Sequence, residues 1–284
     1  MEKAKSVLKE CHLCSRHCGV NRLEGESGKC RTTNKTMVSS YGPHFGEEAP
    51  LVGRRGSGTI FFTNCNLRCA FCQNYSISQL GEGSLVDSEE LAGMMLSLQT
   101  KGCHNINLVS PTHVVAYILE ALELAAGKGL NLPLVYNTGG YDAVETLKLL
   151  DGVVDIYMPD MKYSDARTAE QLSGIKDYPE VNRAAVKEIH RQVGDLQLDE
   201  SGVAQRGLLV RHLVLPKRLA GTEAVVQFLA QEISTNTYLN IMAQYHPCYK
   251  AFDIPQLSRS VSRQEFSEAI DLAHQQGLHR LDKQ

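Results

Sequence analysis

The stretch TNCNLRCAFCQNY, residues 63–75, carries Cys65, Cys69 and Cys72 in a C-x3-C-x2-C spacing with no fourth cysteine close by. A structural zinc site wants four protein ligands, and iron–sulfur cubes usually take four cysteines. Three thiols therefore predict a 4Fe-4S cluster with one iron left free of protein, an open position for a substrate or cofactor. The polar neighbours Asn64, Asn66, Arg68 and Gln73 argue against thiols that merely fill a core. A second group, Cys11, Cys14, Cys18 and Cys30, reads C-x2-C-x3-C-x11-C. Four thiols at those spacings can close a metal site of their own, and Gly19, Gly25 and Gly28 permit tight turns around it. The spacing leaves its metal open between structural zinc and an auxiliary iron–sulfur cluster, and His12 or His17 could replace one cysteine. Cys103 and Cys248 stand alone.

These residues need elements to position them. The chain has 284 residues, 43% hydrophobic and 21% charged, enough to bury a substantial core. Its formal net charge of -3 provides no basic field that would point to nucleic acid. Arg183, Lys187 and Arg191 share one face of an expected helix and read as a solvated stripe. Neither a signal-peptide pattern nor an 18-residue apolar run is present. The expectation is a cytoplasmic protein without a membrane partner, whose nine cysteines stay reduced and serve metals.

Residues 1–50 lack sustained periodicity and read as a small Cys-rich metal-binding module. Over 51–250, short β-rich runs alternate with helical patterns. Strands are expected at 58–63, 105–109, 132–137, 153–158, 207–215 and 238–244. Helices are expected near 88–101, 113–127, 142–150, 165–175, 180–193 and 222–234. Asp87 with Glu90 caps the first of these, and Ser262 with Glu265 caps a further helix in a tail spanning 251–284. Alternation of this kind implies an α/β fold with parallel pairing. Six strands make a partial, open TIM-like barrel, with its chemistry at the carboxyl ends of the strands. The triplet falls directly after the first of them. The glycines of GRRGSG, residues 53–58, precede a strand and read as a turn rather than a phosphate loop.

The triplet, with Phe71 just before its last cysteine, resembles the signature of the radical S-adenosylmethionine (SAM) superfamily, whose fold is a partial (β/α)6 barrel. In that family the open iron binds SAM, and one electron from the reduced cluster cleaves it to methionine and a 5′-deoxyadenosyl radical that abstracts hydrogen. The missing ligand is then the cofactor. Residues 58–250 resemble the activating enzymes of glycyl-radical enzymes, the pyruvate formate-lyase type in particular. Cys72-Gln73-Asn74 resembles their Cys-His-Asn. VDIYMPDMKY resembles the strand bearing their Asp-x-Lys pair, which implies that Asp160 and Lys162 face the cofactor. RHLVLP, from Arg211, resembles their fifth-strand segment, and QYHPCY implies a SAM contact for His246. NTGG resembles their Asp-Thr-Asn-Gly, with Asn137 in place of an acid that helps bind a cation. NLVSPTH stands where their Gly-Gly-Glu holds the methionine amino group, leaving part of that work to the backbone of Ser110, Pro111 and Thr112.

The resemblance thus implies Phe71, Asn74, Asn137, Asp160, Lys162 and His246 as cofactor-binding residues. It also implies hydrogen abstraction from a glycine of a partner enzyme, and an electron donor such as flavodoxin or ferredoxin. Two alternatives are radical modification of another peptide or small molecule, and a non-catalytic iron–sulfur or zinc protein for electron transfer or scaffolding. His113 and His212 read as hydrogen-bonded structural residues.

Overall fold

The computed structural model describes residues 2–282. Its strands are β1 (Thr36–His44), β2 (Ser57–Phe62), β3 (Ser84–Val86), β4 (Ile106–Val109), β5 (Leu134–Thr138), β6 (Ile156–Pro159), β7 (Gln197–Leu198), β8 (Ala204–Leu213) and β9 (Tyr238–Met242). Its helices are α1 (Glu2–Ser6), α2 (Ala49–Val52), α3 (Ser88–Thr100), α4 (Val115–Gly127), α5 (Val144–Leu149), α6 (Ala166–Ser173), α7 (Tyr178–Val193), α8 (Thr222–Phe228) and α9 (Arg263–Gln275). Strands β2, β4, β5, β6, β8 and β9 pair in parallel, each with the next. These are the six strands expected from sequence, and helices link them as a partial barrel requires.

The burial of the strands explains their composition. β4, β5 and β6 are covered on both faces, so they read as near-continuous apolar runs instead of alternating ones. The main core joins Tyr136, Tyr157, Leu208 and Val210 of the sheet to Val115 and Ala116 of α4, Ala185 and Ile189 of α7, and Val225 of α8. Both expected capping boxes are present, Asp87 with Glu90 on α3 and Ser262 with Glu265 on α9. The GRRGSG segment is a turn between α2 and β2, with Gly53 and Gly56 at positive φ. The basic stripe of α7 is engaged with its neighbours: Arg191 pairs with Asp151 and Glu188, Lys187 pairs with Glu232, and Arg183 lies over the Phe228 ring.

Residues 36–44, placed by the sequence reading in the Cys-rich module, form β1. This strand lies antiparallel on β2 and carries β3 on its other edge. Its Gly42 and Pro43 weaken the strand signal, yet proline is compatible with sheet margins. The N-terminal segment ahead of the sheet is therefore residues 2–35, and it packs against the barrel. Ala4, Leu8, Cys11 and Leu13 belong to the main core cluster. Among the described residues, no helix is long and apolar enough to cross a membrane.

Candidate active site

β2 ends at Phe62, and the chain then turns through Asn64 and Arg68, both at positive φ, to present the triplet. Cys65, Cys69 and Cys72 border one cavity of about 140 Å³. The other walls come from the ends of successive strands: Val109 and Ser110 after β4, Asn137 to Gly139 at β5, Asp160 and Lys162 after β6, and Arg211 on β8. Asn74 closes one side. Chemistry at strand carboxyl ends is the usual arrangement of this architecture.

The thiols are dressed with donors. The Leu67 amide lies 3.4 Å from Cys65 Sγ, the Ser78 hydroxyl 3.0 Å from Cys72 Sγ, and the Ser173 hydroxyl 3.1 Å from Cys69 Sγ. Burial, then the neighbouring Cys69, pushes the Cys65 thiol up to about 12, and burial also raises Cys72. Three neighbouring thiolates, Cys69 buried and Cys65 and Cys72 partly so, need a compensating cation, which an iron–sulfur cluster supplies. Among the described residues, no three His, Cys, Asp or Glu side chains converge as a single metal ion requires. A cube asks for a different arrangement, because each cysteine takes its own iron. The donors, the positive side chains and the shared cavity fit such a cluster.

Asp160 is held between two cations. Lys162 Nζ lies 2.6 Å from Oδ2, and Arg211 Nε donates to Oδ1 at 2.8 Å. Burial alone would raise the Asp160 carboxyl, but Arg211 and Lys162 outweigh it and hold the group below its ordinary value. Burial opposes the charge on Lys162, and Asp160 followed by Cys69 more than restores it. Arg211 Nη2 also donates to Asn137 Oδ1 at 2.7 Å. The loop beneath is fixed by Tyr178, which donates to the carbonyls of Gly139 and Asp160, and by Asn182, which donates to those of Gly140 and Asp160.

A second cavity of about 530 Å³ adjoins the first and shares Asn74, Val109, Asn137 and Arg211 with it. Glu47, Glu48, Asn240, Gln244 and His44 add to its polar lining. Burial raises the Glu47 carboxyl, against the pull of Arg211.

Of the cofactor-binding residues expected from sequence, Asn74, Asn137, Asp160 and Lys162 line the inner cavity. Phe71 and His246 lie elsewhere. Phe71 is buried, packed edge-on against Tyr163 and Tyr245, where it supports the cysteine loop from below. His246 lies on the surface, with Nδ1 3.3 Å from both Gln73 Nε2 and the Gln244 carbonyl. Ser110 reaches the cavity wall at φ +58, while Thr112 turns away to bond Thr138 and Asp142. Arg211, Glu47 and Glu48 join the site without having been expected there from sequence. An arginine amid the buried run Leu208–Leu209–Val210 was the available signal. The N-terminal cysteines gather around a separate small cavity.

The profile of the Radical SAM superfamily matches residues 59–198. The chain is 33% identical to Uncharacterized protein MJ0674 of Methanocaldococcus jannaschii, over 98% of this chain and 78% of that one. It is 24% identical to Uncharacterized protein MJ0808 of the same organism, over 89% and 75% of the two chains. Among solved structures it is similar in fold to a radical SAM methyltransferase from Sphaerobacter thermophilus. The TM-score is 0.54 at 14% identity, over 78% of this chain and 64% of that one, so it spans less than two thirds of that structure.

Proposed function

This chain belongs to the radical SAM superfamily, and from that premise we propose that it abstracts hydrogen from a glycine of a partner enzyme. It is a radical SAM enzyme whose cofactors are a 4Fe-4S cluster and S-adenosylmethionine. The observation that carries the reading is the single cavity bordered by Cys65, Cys69, Cys72, Asp160, Lys162 and Arg211. When bound, the reduced cluster supplies the electron that cleaves S-adenosylmethionine and so generates the hydrogen-abstracting radical.

The chain's own residues do the rest. Cys65, Cys69 and Cys72 would hold the cluster, each thiolate stabilised by a nearby amide or hydroxyl. Lys162 and Arg211 bring two positive side chains to the wall, where Asp160 bonds both and Glu48 lies 3.9 Å from Arg211 Nε. The Lys162 ammonium is placed to pair with the carboxylate of S-adenosylmethionine. Phe71 and the tyrosines around it keep water from the floor beneath the triplet. The outer cavity is polar, lined by Asn137, Asn240, Gln244, Glu47 and Glu48, and a peptide backbone is polar along its whole length. That lining supports a polypeptide substrate carrying the target glycine, with reduction by a flavodoxin- or ferredoxin-type donor.

The test is anaerobic. Reconstituted, dithionite-reduced protein is incubated with S-adenosylmethionine, and 5′-deoxyadenosine is quantified with and without a glycyl-radical enzyme deuterated at glycine. Deuterium in the 5′-deoxyadenosine supports the glycine target. Cleavage without deuterium transfer overturns the target, and no cleavage by protein with a full triplet cluster overturns the reaction.

A further inference from the structure

We propose that Cys11, Cys14, Cys18 and Cys30 hold a second iron–sulfur cluster, and that it braces the loop carrying the first. The inference stands on a part of the molecule that the radical chemistry does not use, so it does not rest on the function proposed above.

The four thiols border one cavity with Arg22, Gly28 and His113. Cys11, Cys14 and Cys30 are buried and Cys18 is partly exposed. The loop is built to bring them together. The Cys11 amide donates to the Val20 carbonyl and the Gly19 amide to the Cys11 carbonyl, folding the first three cysteines into one turn. A Cβ at Gly28 would lie 2.6 Å from Cys18 Sγ, so the return strand can pass only where glycine stands. The Lys29 amide points at Cys18 Sγ from 3.5 Å, as amides do around metal-bound thiolates.

Arg22 shows that an anion belongs there. It is fully buried, and its hydrogen bonds go to the carbonyls of Thr33 and His113 and, at 3.9 Å, to Cys11 Sγ. Its Nη2 has no partner, nor does the Nδ1 of buried His113. The guanidinium faces the Tyr117 ring at 5.5 Å, but among the described residues it has no carboxylate within ion-pair distance. A buried cation without an anion is costly. Four thiolates on a metal centre carry the net negative charge that would balance it.

The spread of the thiols favours a cluster over zinc. Zinc draws all four of its sulfurs to about 2.3 Å from one point. Here the thiols, like the catalytic triplet, do not converge on a single ion.

Two arginines beside these ligands grip the catalytic loop. Arg16, between Cys14 and Cys18, donates to the carbonyls of Asn66, Leu67, Ser173 and Gly174. Arg31, next to Cys30, donates to Asn64 Oδ1 at 3.0 Å and to the Gln79 carbonyl. The triplet loop is thus held on both flanks from the N-terminal thiols.

The experiment is metal and sulfide analysis with Mössbauer spectroscopy on the full chain, reconstituted anaerobically. The variant C65A/C69A/C72A should retain about four irons and four sulfides per chain, and adding C11S/C14S should remove them. If the triplet variant fails to fold, the comparison is wild type at about eight irons against C11S/C14S at about four. One zinc per chain, no metal at these thiols, or an iron content unchanged by C11S/C14S overturns the proposal. None of these readouts depends on S-adenosylmethionine cleavage.

Discussion

Asp160 illustrates how one carboxylate serves two neighbours differently. It takes Lys162 at 2.6 Å on one oxygen and Arg211 at 2.8 Å on the other. Replacing Lys162 by methionine leaves Asp160 paired with Arg211, so the fold should hold while the cavity loses one positive side chain. Calorimetry should show S-adenosylmethionine binding weakened by about 1–3 kcal/mol, with the melting temperature little changed. Asp160→Asn leaves two part-buried cations short of this carboxylate, with Arg211 keeping Glu48 at 3.9 Å, and should destabilise the protein by about 1–3 kcal/mol, read from denaturant unfolding. The Asp-x-Lys pair was legible in sequence through its place at a strand end. Arg211 was not, because a strand arginine becomes a site residue only once the sheet register sets it opposite Asp160. Phe71 and His246 were placed by resemblance alone, and spacing along a chain does not say which side of a loop a ring packs on.

The parallel strands and their helices were readable because each buries apolar residues at its own period. β1 was not, since its pairing with β2 and β3 supplies what its Ser, Gly and Pro residues lack. β8 shows how an element depends on a neutral histidine. His212 Nδ1–H donates to the Met161 carbonyl at 2.6 Å, and Nε2 accepts from the Thr222 hydroxyl at 2.9 Å, tying β8 to the start of α8. Burial lowers its pKa from 6.5 to about 4. Below pH 6.5 the unfolded chain takes up the proton before the folded one does, so stability falls as pH drops toward 4. This residue alone should account for roughly 3 kcal/mol across that window. His212→Gln should flatten that part of the stability profile, measured by denaturant titration at pH 7 and pH 4.5. At the end of β5, Gly140 has φ +77, and an added Cβ would lie 2.2 Å from both Asn182 Nδ2 and the Asp160 carbonyl. Gly140→Ala should therefore displace the Asp160 loop, lowering the melting temperature and S-adenosylmethionine affinity together.

At the scale of the molecule, residues 2–35 form a strap that packs on α4 and on the triplet loop. Arg16 is the strap's main fastening. Arg16→Met should leave both sets of thiols able to take iron but loosen the triplet loop, slowing S-adenosylmethionine cleavage about tenfold, a loss of about 1.4 kcal/mol in transition-state positioning. Iron analysis beside a cleavage assay checks it, and iron lost from the triplet would indicate a different role. The four-cysteine spacing was visible in the sequence. Its docking was not, because Arg16 meets Gly174 across 158 positions of chain.

That separation also orders events at the ribosome. Cys11 to Cys30 are synthesised early, while the carbonyls of Ser173 and Gly174 that receive Arg16 appear only after more than half the chain is made. At ordinary elongation rates the wait is roughly 10–30 s. Through that interval the four thiols have no barrel to shelter against, and closing so long a loop is among the slower steps available to the chain. The first thiols made thus wait longest for that fastening, and the nascent chain must pass the interval with them reduced.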